Sequence, residues 1–280
     1  MLTFRTIAIE SCFLHRKGSF LKRVLLKIAY DGTRYAGFAR QPGQETIEGV
    51  LDETISSLTG ESIEVIGASR TDAGVHARAN IAVFDTESPI PPEKFSYALN
   101  RRLPPRIRIQ ESYEVAPDFH PRHCSTVKTY EYHIYNAEFE DPIRRMYSFH
   151  TYYPLNTEAM QEAGQYLLGE HDFRSFCSTY TQAQTTVRTI LSIDVTASAD
   201  RMPRDITIRV RGTGFLYNMV RIIAGTLMEV GTGKKKPEDL KAILDAKDRR
   251  AAGPTAPAAG LILEDFHFVE DPRIQSKPVS

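Results

Sequence analysis

The sequence predicts an α+β protein made of two ferredoxin-like (split βαβ) halves, whose antiparallel sheets join into one central sheet with a cleft between the halves. Three observations predict it. The order strand, helix, strand, strand, helix, strand is read twice along the chain. Pro117 and Pro121 mark a connection between the two readings. A chain of 280 residues, 41% hydrophobic and 25% charged, has globular composition and room for two such units.

In order, residues 1–23 show no clear period and read as a loose extension. Val24 to Tyr30 is a strand, closed by the turn residues Asp31-Gly32-Thr33. Ile47, Val50, Leu51, Ile55 and Leu58 fall at helical spacing, with Gly60 as the stop. Strands follow at Ser62–Ala68 and Arg78–Thr86, a helix opens at Pro91-Pro92 and runs to Arg101, and a strand from Arg106 to Val115 completes the first half. The second half has a strand with alternating aromatics at Val127–Asn136 and a helix at Thr157–Leu168. Two strands, Thr186–Thr196 and Ile206–Val210, lead to a long helix, Phe215–Val230. An inserted helix at Pro237–Ala246 and a strand at Leu261–Val269 end it. The boundaries are therefore 24–117 for the N-terminal half, 118–269 for the C-terminal half and 270–280 for a tail.

Two stretches stand out chemically. Between two apolar runs lies Ala68-Ser69-Arg70-Thr71-Asp72-Ala73-Gly74-Val75-His76-Ala77, a loop of small and polar residues that presents a carboxylate beside a turn glycine. The helix from Phe215 is apolar nearly all round, which means burial, yet it contains Arg221 with Tyr217, Asn218, Ala224 and Gly225 at the adjoining spacings. A guanidinium buried there needs an anionic partner. Asp72 is the candidate; Glu229 and Glu264 are the alternatives. A pair formed across the halves is expected to lower the Asp72 pKa and keep it ionised. Tyr130 and Tyr132 share one face of their strand, where aromatics either pack in a core or stack on unpaired bases. The turn Tyr30 to Phe38 reads as a substrate contact or as a hairpin turn.

Composition excludes several classes. No apolar run reaches the ~20 residues that span a bilayer, and Glu10 interrupts any signal-like core, so the expected location is cytoplasmic. Cys12, Cys124 and Cys177 are odd in number and unpaired in spacing, which fits a reducing compartment. Lys plus Arg and Asp plus Glu both number 35, so nucleic-acid binding would use local patches: Arg101-Arg102 with Arg106 and Arg108, Arg144-Arg145, Lys234 to Lys236, and Arg249-Arg250. His120-Pro121-Arg122-His123-Cys124 has no matching second ligand pair, so metal is not expected. P-loop, dinucleotide and zinc-deaminase patterns are absent. A carboxylate, an arginine and an aromatic remain, a set that suits chemistry without a cofactor. A non-catalytic RNA-binding protein stacking bases on Tyr130 and Tyr132 is the alternative, and it leaves Asp72 without a role.

Three stretches together resemble one family. The loop Ala68 to Ala77, Lys128-Thr129-Tyr130-Glu131-Tyr132, and Asn218 to Leu227 look like a tRNA pseudouridine synthase of the TruA type; Tyr30 to Thr33 and Thr255 to Leu261 match as well. The resemblance runs from about Val24 to Val269. The family usually has Trp-Gln where this chain has Phe38-Ala39, a departure that bears on local substrate contacts. The resemblance implies isomerisation of uridine to pseudouridine at positions 38 to 40 of the tRNA anticodon stem-loop, by a homodimer without metal or organic cofactor. It implies Asp72 as catalytic carboxylate, Arg221 as its ionic partner, Tyr130 as the aromatic against the target uracil, and Arg70 as an RNA contact at the extruded nucleotide.

Overall fold

The computed structural model describes residues 21–179 and 183–273. Most of the expected N-terminal extension, Cys12 and the end of the tail lie outside the described residues. Lys22 and Arg23 belong to the first strand rather than to the extension.

The first half consists of β1 (Lys22–Tyr30), α1 (Ile47–Thr59), β2 (Ile66–Gly67), β3 (His76–Thr86), α2 (Phe95–Asn100) and β4 (Ile107–Val115). The second consists of β5 (Thr126–Asn136), β6 (Phe149–Thr151), α3 (Thr157–Gln165), β7 (Gly169–Asp172), β8 (Val187–Ala197), β9 (Arg204–Gly212), α4 (Met219–Gly231), α5 (Asp239–Ala246) and β10 (Leu261–Phe268). The sheet order is β4-β1-β3-β10-β5-β9-β8-β7, with β2 added beside β3 and β6 beside β5. Each half thus orders its fourth, first, third and second core strands in that sequence, the split βαβ arrangement. Pairing within each core is antiparallel. The halves meet through a parallel contact of two residue pairs, Ile262 with His76 and Leu263 with Ala77.

Strand alternation divides the core. Val24, Leu26, Ile28 and Tyr30 of β1 join the large cluster under the helices, whereas Leu25 joins a smaller cluster with Ala79, Ile81, Val83 and Phe266. Fully buried aliphatic and aromatic side chains of this kind stabilise by roughly 1.5–3 kcal/mol each relative to exposure. Thr46 caps α1 by accepting the Gly49 N–H at 3.2 Å.

Several boundaries differ from expectation. The strand expected at Ser62–Ala68 shrinks to two residues, because α1 side chains capture its backbone donors: Ile63 N–H bonds to Ser56 Oγ at 3.0 Å and Val65 N–H to Asp52 Oδ1 at 2.7 Å. The helix expected from Phe215 starts at Met219, because Asn218 takes a left-handed conformation, φ 61°, and turns the chain just before it. The helix expected to reach Leu168 ends at Gln165. β6 and β7 were not expected from the sequence; they are three and four residues long and lack a clear apolar alternation.

Candidate active site

The loop at residues 68–75 sits where one strand edge changes partners. β3 pairs with β2 at its Ala82–Val83 end and with β10 at His76–Ala77, so the loop between β2 and β3 emerges at the junction of the halves. Gly74, φ 78°, makes the turn, and Val75 N–H closes it on the Asp72 carbonyl at 3.1 Å.

The loop is held from below by a buried polar network. Tyr30 Oη and Thr71 Oγ1 are 2.7 Å apart, and Asn80 Nδ2 donates both to Tyr30 Oη at 3.1 Å and to the Ser69 carbonyl at 3.0 Å. From the side, Phe38 N–H donates to the Thr71 carbonyl at 3.0 Å and Gly74 N–H to the Tyr35 carbonyl at 3.3 Å. Gly32 lies so close that a Cβ there would stand 2.0 Å from the Val75 carbonyl oxygen. The turn Tyr30 to Phe38 is therefore a cradle for the Asp72 loop. Phe38 is fully buried and packs against Tyr30, ring centroids 6.1 Å apart.

Below the loop, Gly32 N–H donates to His76 Nδ1 at 3.1 Å, and the His76 ring packs against Tyr147 with centroids 5.1 Å apart. Asp31 accepts from Thr33 N–H, from Arg106 and from Tyr147 Oη at 3.2 Å. Burial alone would raise the Asp31 pKa; these donors and the Arg106 charge hold it below the usual range. Burial lowers the His76 pKa, with the Asp31 charge opposing. A concavity of about 570 Å³ opens on this side, lined by Asp31, His76, Arg106 and Tyr147 among others, and Asp72 does not line it.

Arg221 reaches Asp72 across the junction, Nη1 to Oδ2, at 3.0 Å. Both side chains are 17% exposed. Arg221 is itself fixed: Nε donates to the Ala256 carbonyl at 2.7 Å and Nη1 to Asn218 Oδ1 at 2.8 Å. The segment carrying Ala256 approaches because Gly225 has no side chain; a Cβ there would meet the Pro254 carbonyl oxygen at 1.9 Å. The alternative partners are occupied elsewhere, Glu264 by Arg78 and Glu229 by Lys235. One expectation is overturned. Burial raises the Asp72 pKa by more than Arg221 lowers it, so the carboxyl titrates above, not below, its ordinary range.

Tyr130, on β5, is 8% exposed and packs edge-on against Phe215, with centroids 5.1 Å apart. Burial raises its phenol pKa, and the neighbouring charges of Tyr30 and Asp72 act in the same sense. Tyr132 is fully buried and donates to the Pro257 carbonyl at 2.9 Å, which removes it as a stacking surface. Arg70 is exposed on the loop. The structure thus brings Asp72, Arg221 and Tyr130 together, with Arg70 at the rim.

The basic patches are neutralised in part. Arg106 pairs with Asp31, Arg144 with Asp141 and Asp205, Lys235 with Glu229 and Arg250 with Asp248. Arg108 and Arg249 donate to backbone carbonyls. The His120 and His123 rings stack on each other 4.0 Å apart, and among the described residues no group of three His, Cys, Asp or Glu converges as a metal site would require. No helix among the described residues is long and apolar enough to cross a membrane. Sequence reading missed Tyr30, Thr71 and Asn80 as a supporting set, although Tyr30 and Thr71 belong to stretches it singled out.

Comparison with known proteins places this geometry in context. Residues 27–123 and 163–269 match the family model described as tRNA pseudouridine synthase. A tRNA pseudouridine synthase A of Brevibacillus brevis is 47% identical over 243 residues, covering 87% of this chain and 98% of the relative. That of Acetivibrio thermocellus is 46% identical, covering 89% and 100%. That of Bacillus subtilis is 43% identical, covering 88% and 99%.

Proposed function

The chain belongs to the tRNA pseudouridine synthase family, and on that premise we propose that it isomerises uridine to pseudouridine at positions 38 to 40 of the tRNA anticodon stem-loop, with Asp72 as the catalytic carboxylate. The observation that carries the reading is the Asp72–Arg221 pair, 3.0 Å long and formed between the two halves at a loop held by a buried polar network. As a tRNA-modifying isomerase the protein rearranges one nucleotide and needs no second substrate. We read it further as a cytoplasmic homodimer that uses no cofactor.

The chemistry suits these residues. The target base must leave its stack, at a cost of a few kcal/mol that contacts to the extruded base offset. Tyr130 is the aromatic against the uracil and Arg70 the cation at the loop rim that holds the displaced nucleotide. Cleavage of the bond between C1′ and N1 develops positive charge on the ribose, as in glycoside hydrolysis. An ionised Asp72 at C1′ stabilises that charge, by attack on C1′ or by taking a neighbouring proton. The uracil turns and bonds through C5, and the C5 proton leaves. Arg221, fixed by Ala256 and Asn218, holds the carboxylate oriented throughout, which removes reorganisation from the reaction.

Tritium release from tRNA labelled at uracil C5, followed by mapping of pseudouridine, tests the reading. The wild-type protein should release tritium and modify positions 38 to 40, and Asp72→Asn should bind tRNA without releasing it. Wild-type release by Asp72→Asn would reject Asp72 as the catalytic carboxylate.

A further inference from the structure

Three cations outside the basic patches converge beside Tyr130. Arg122, in the β4–β5 connection, donates Nε to the Gly67 carbonyl at 2.7 Å, which fixes it at the end of β2 where the Asp72 loop begins. Lys128 lies two residues before Tyr130 on β5, hence on the same face and about 7 Å along the strand. Its ammonium sits 5.1 Å from the centre of the Phe266 ring. Opposite it on β9 is Gly212, which adds no side chain to that face. Arg188, in β8, runs along the turn that carries Phe215: its Cδ lies 3.3 Å from where a Cβ on Gly214 would stand.

Among the described residues none of the three forms an ion pair. They act on one another instead. Burial and the nearby charges of Arg188 and Arg122 bring the Lys128 pKa down to about 8, with the Cys124 thiol opposing, and Arg70 adds its charge to the field at Arg122. Glu48 is the carboxylate that bears on Arg122, and it already accepts the Arg40 N–H. Like charges that the fold holds together, with Lys128 and Arg188 partly buried, are unfavourable until an anion joins them.

Resting on the tRNA reading of this cleft, we infer that Arg122, Lys128 and Arg188 form a clamp for backbone phosphates of the strand that carries the target uridine. Arg122 approaches from the β4–β5 connection, anchored to the end of β2, Arg188 from β8, and Lys128 from β5 between them. The clamp places the backbone beside the base platform and leaves Asp72 and Arg221 to the sugar.

The test is tRNA affinity across a sodium chloride series for the wild type, Arg122→Met, Lys128→Met, Arg188→Met and Lys128→Arg. Each methionine variant should bind about tenfold more weakly at low salt and lose about 0.7 to 0.9 from the slope of log affinity against log salt, the share of one phosphate contact. Lys128→Arg should retain both affinity and slope. Unchanged slopes in the methionine variants, or a Lys128→Arg protein as weak as Lys128→Met, would overturn the clamp. A wild-type protein that forms no pseudouridine would instead overturn the functional reading, whereas an active wild type with unaltered variant slopes rejects the clamp alone.

Discussion

The two halves repeat one topology, so their loops between second and third core strands are equivalent, and the contrast between them is instructive. In the C-terminal half that loop, residues 198–203 between β8 and β9, is exposed throughout and lies away from the junction. In the N-terminal half it is the Asp72 loop, underpinned by Tyr30 and Asn80 and facing Arg221. The fold alone does not make a site. The difference is position: one loop ends in open solvent, the other where β3 exchanges β2 for β10 and the second half begins.

The largest expected effect sharpens that contrast. Asp72→Asn should reduce pseudouridine formation by at least about 10³-fold, a loss in the range of general acid–base or covalent catalysis, with tRNA affinity within about twofold of wild type. Asp200→Asn, in the equivalent exposed loop, should leave the rate unchanged, and a comparable loss there would break the comparison. Arg221→Met comes next, with kcat lower by roughly 10² to 10³-fold, the scale of one preorganised electrostatic contact. It also has a pH signature. Arg221 opposes the upward shift that burial imposes on Asp72, so removing it should move the acid limb of kcat/KM to higher pH. A limb that stays in place would mean that the pair does not set the ionisation. Tyr30→Phe should leave Asn80 and Thr71 short of a buried partner, costing about 1–3 kcal/mol in thermal unfolding, and should lower kcat about tenfold with KM unchanged. Equal losses in kcat for Tyr30→Phe and for a distant variant of equal stability would show the network to be structural only.

Much of this was legible beforehand. Helical and strand periods located both halves because each element buries one stripe or one face, as Ile47, Leu51 and Ile55 do in α1. Arg221 was legible because a lone cation on an apolar helix needs a partner. The length of β2 was not, since Ser56 and Asp52 take its backbone donors from across the fold. Nor was the direction of the Asp72 pKa, because a run of small polar residues gives no sign that the loop will be walled in by its partner domain. Asn80 reads as an ordinary polar residue of a strand; only the register that sets it opposite Ile28, near the end of β1, makes it a support for the loop.

The seam between the halves also sets when the molecule becomes active. Asp72 and Arg221 are 149 residues apart, and the strand that docks beside His76 is the last among the described residues. During synthesis the N-terminal half can gather its own core long before α4 and β10 leave the ribosome. Until then its carboxylate loop has no guanidinium opposite and no second wall. Addition of α4 and β10 is thus the step that brings Arg221 and the second wall to the loop.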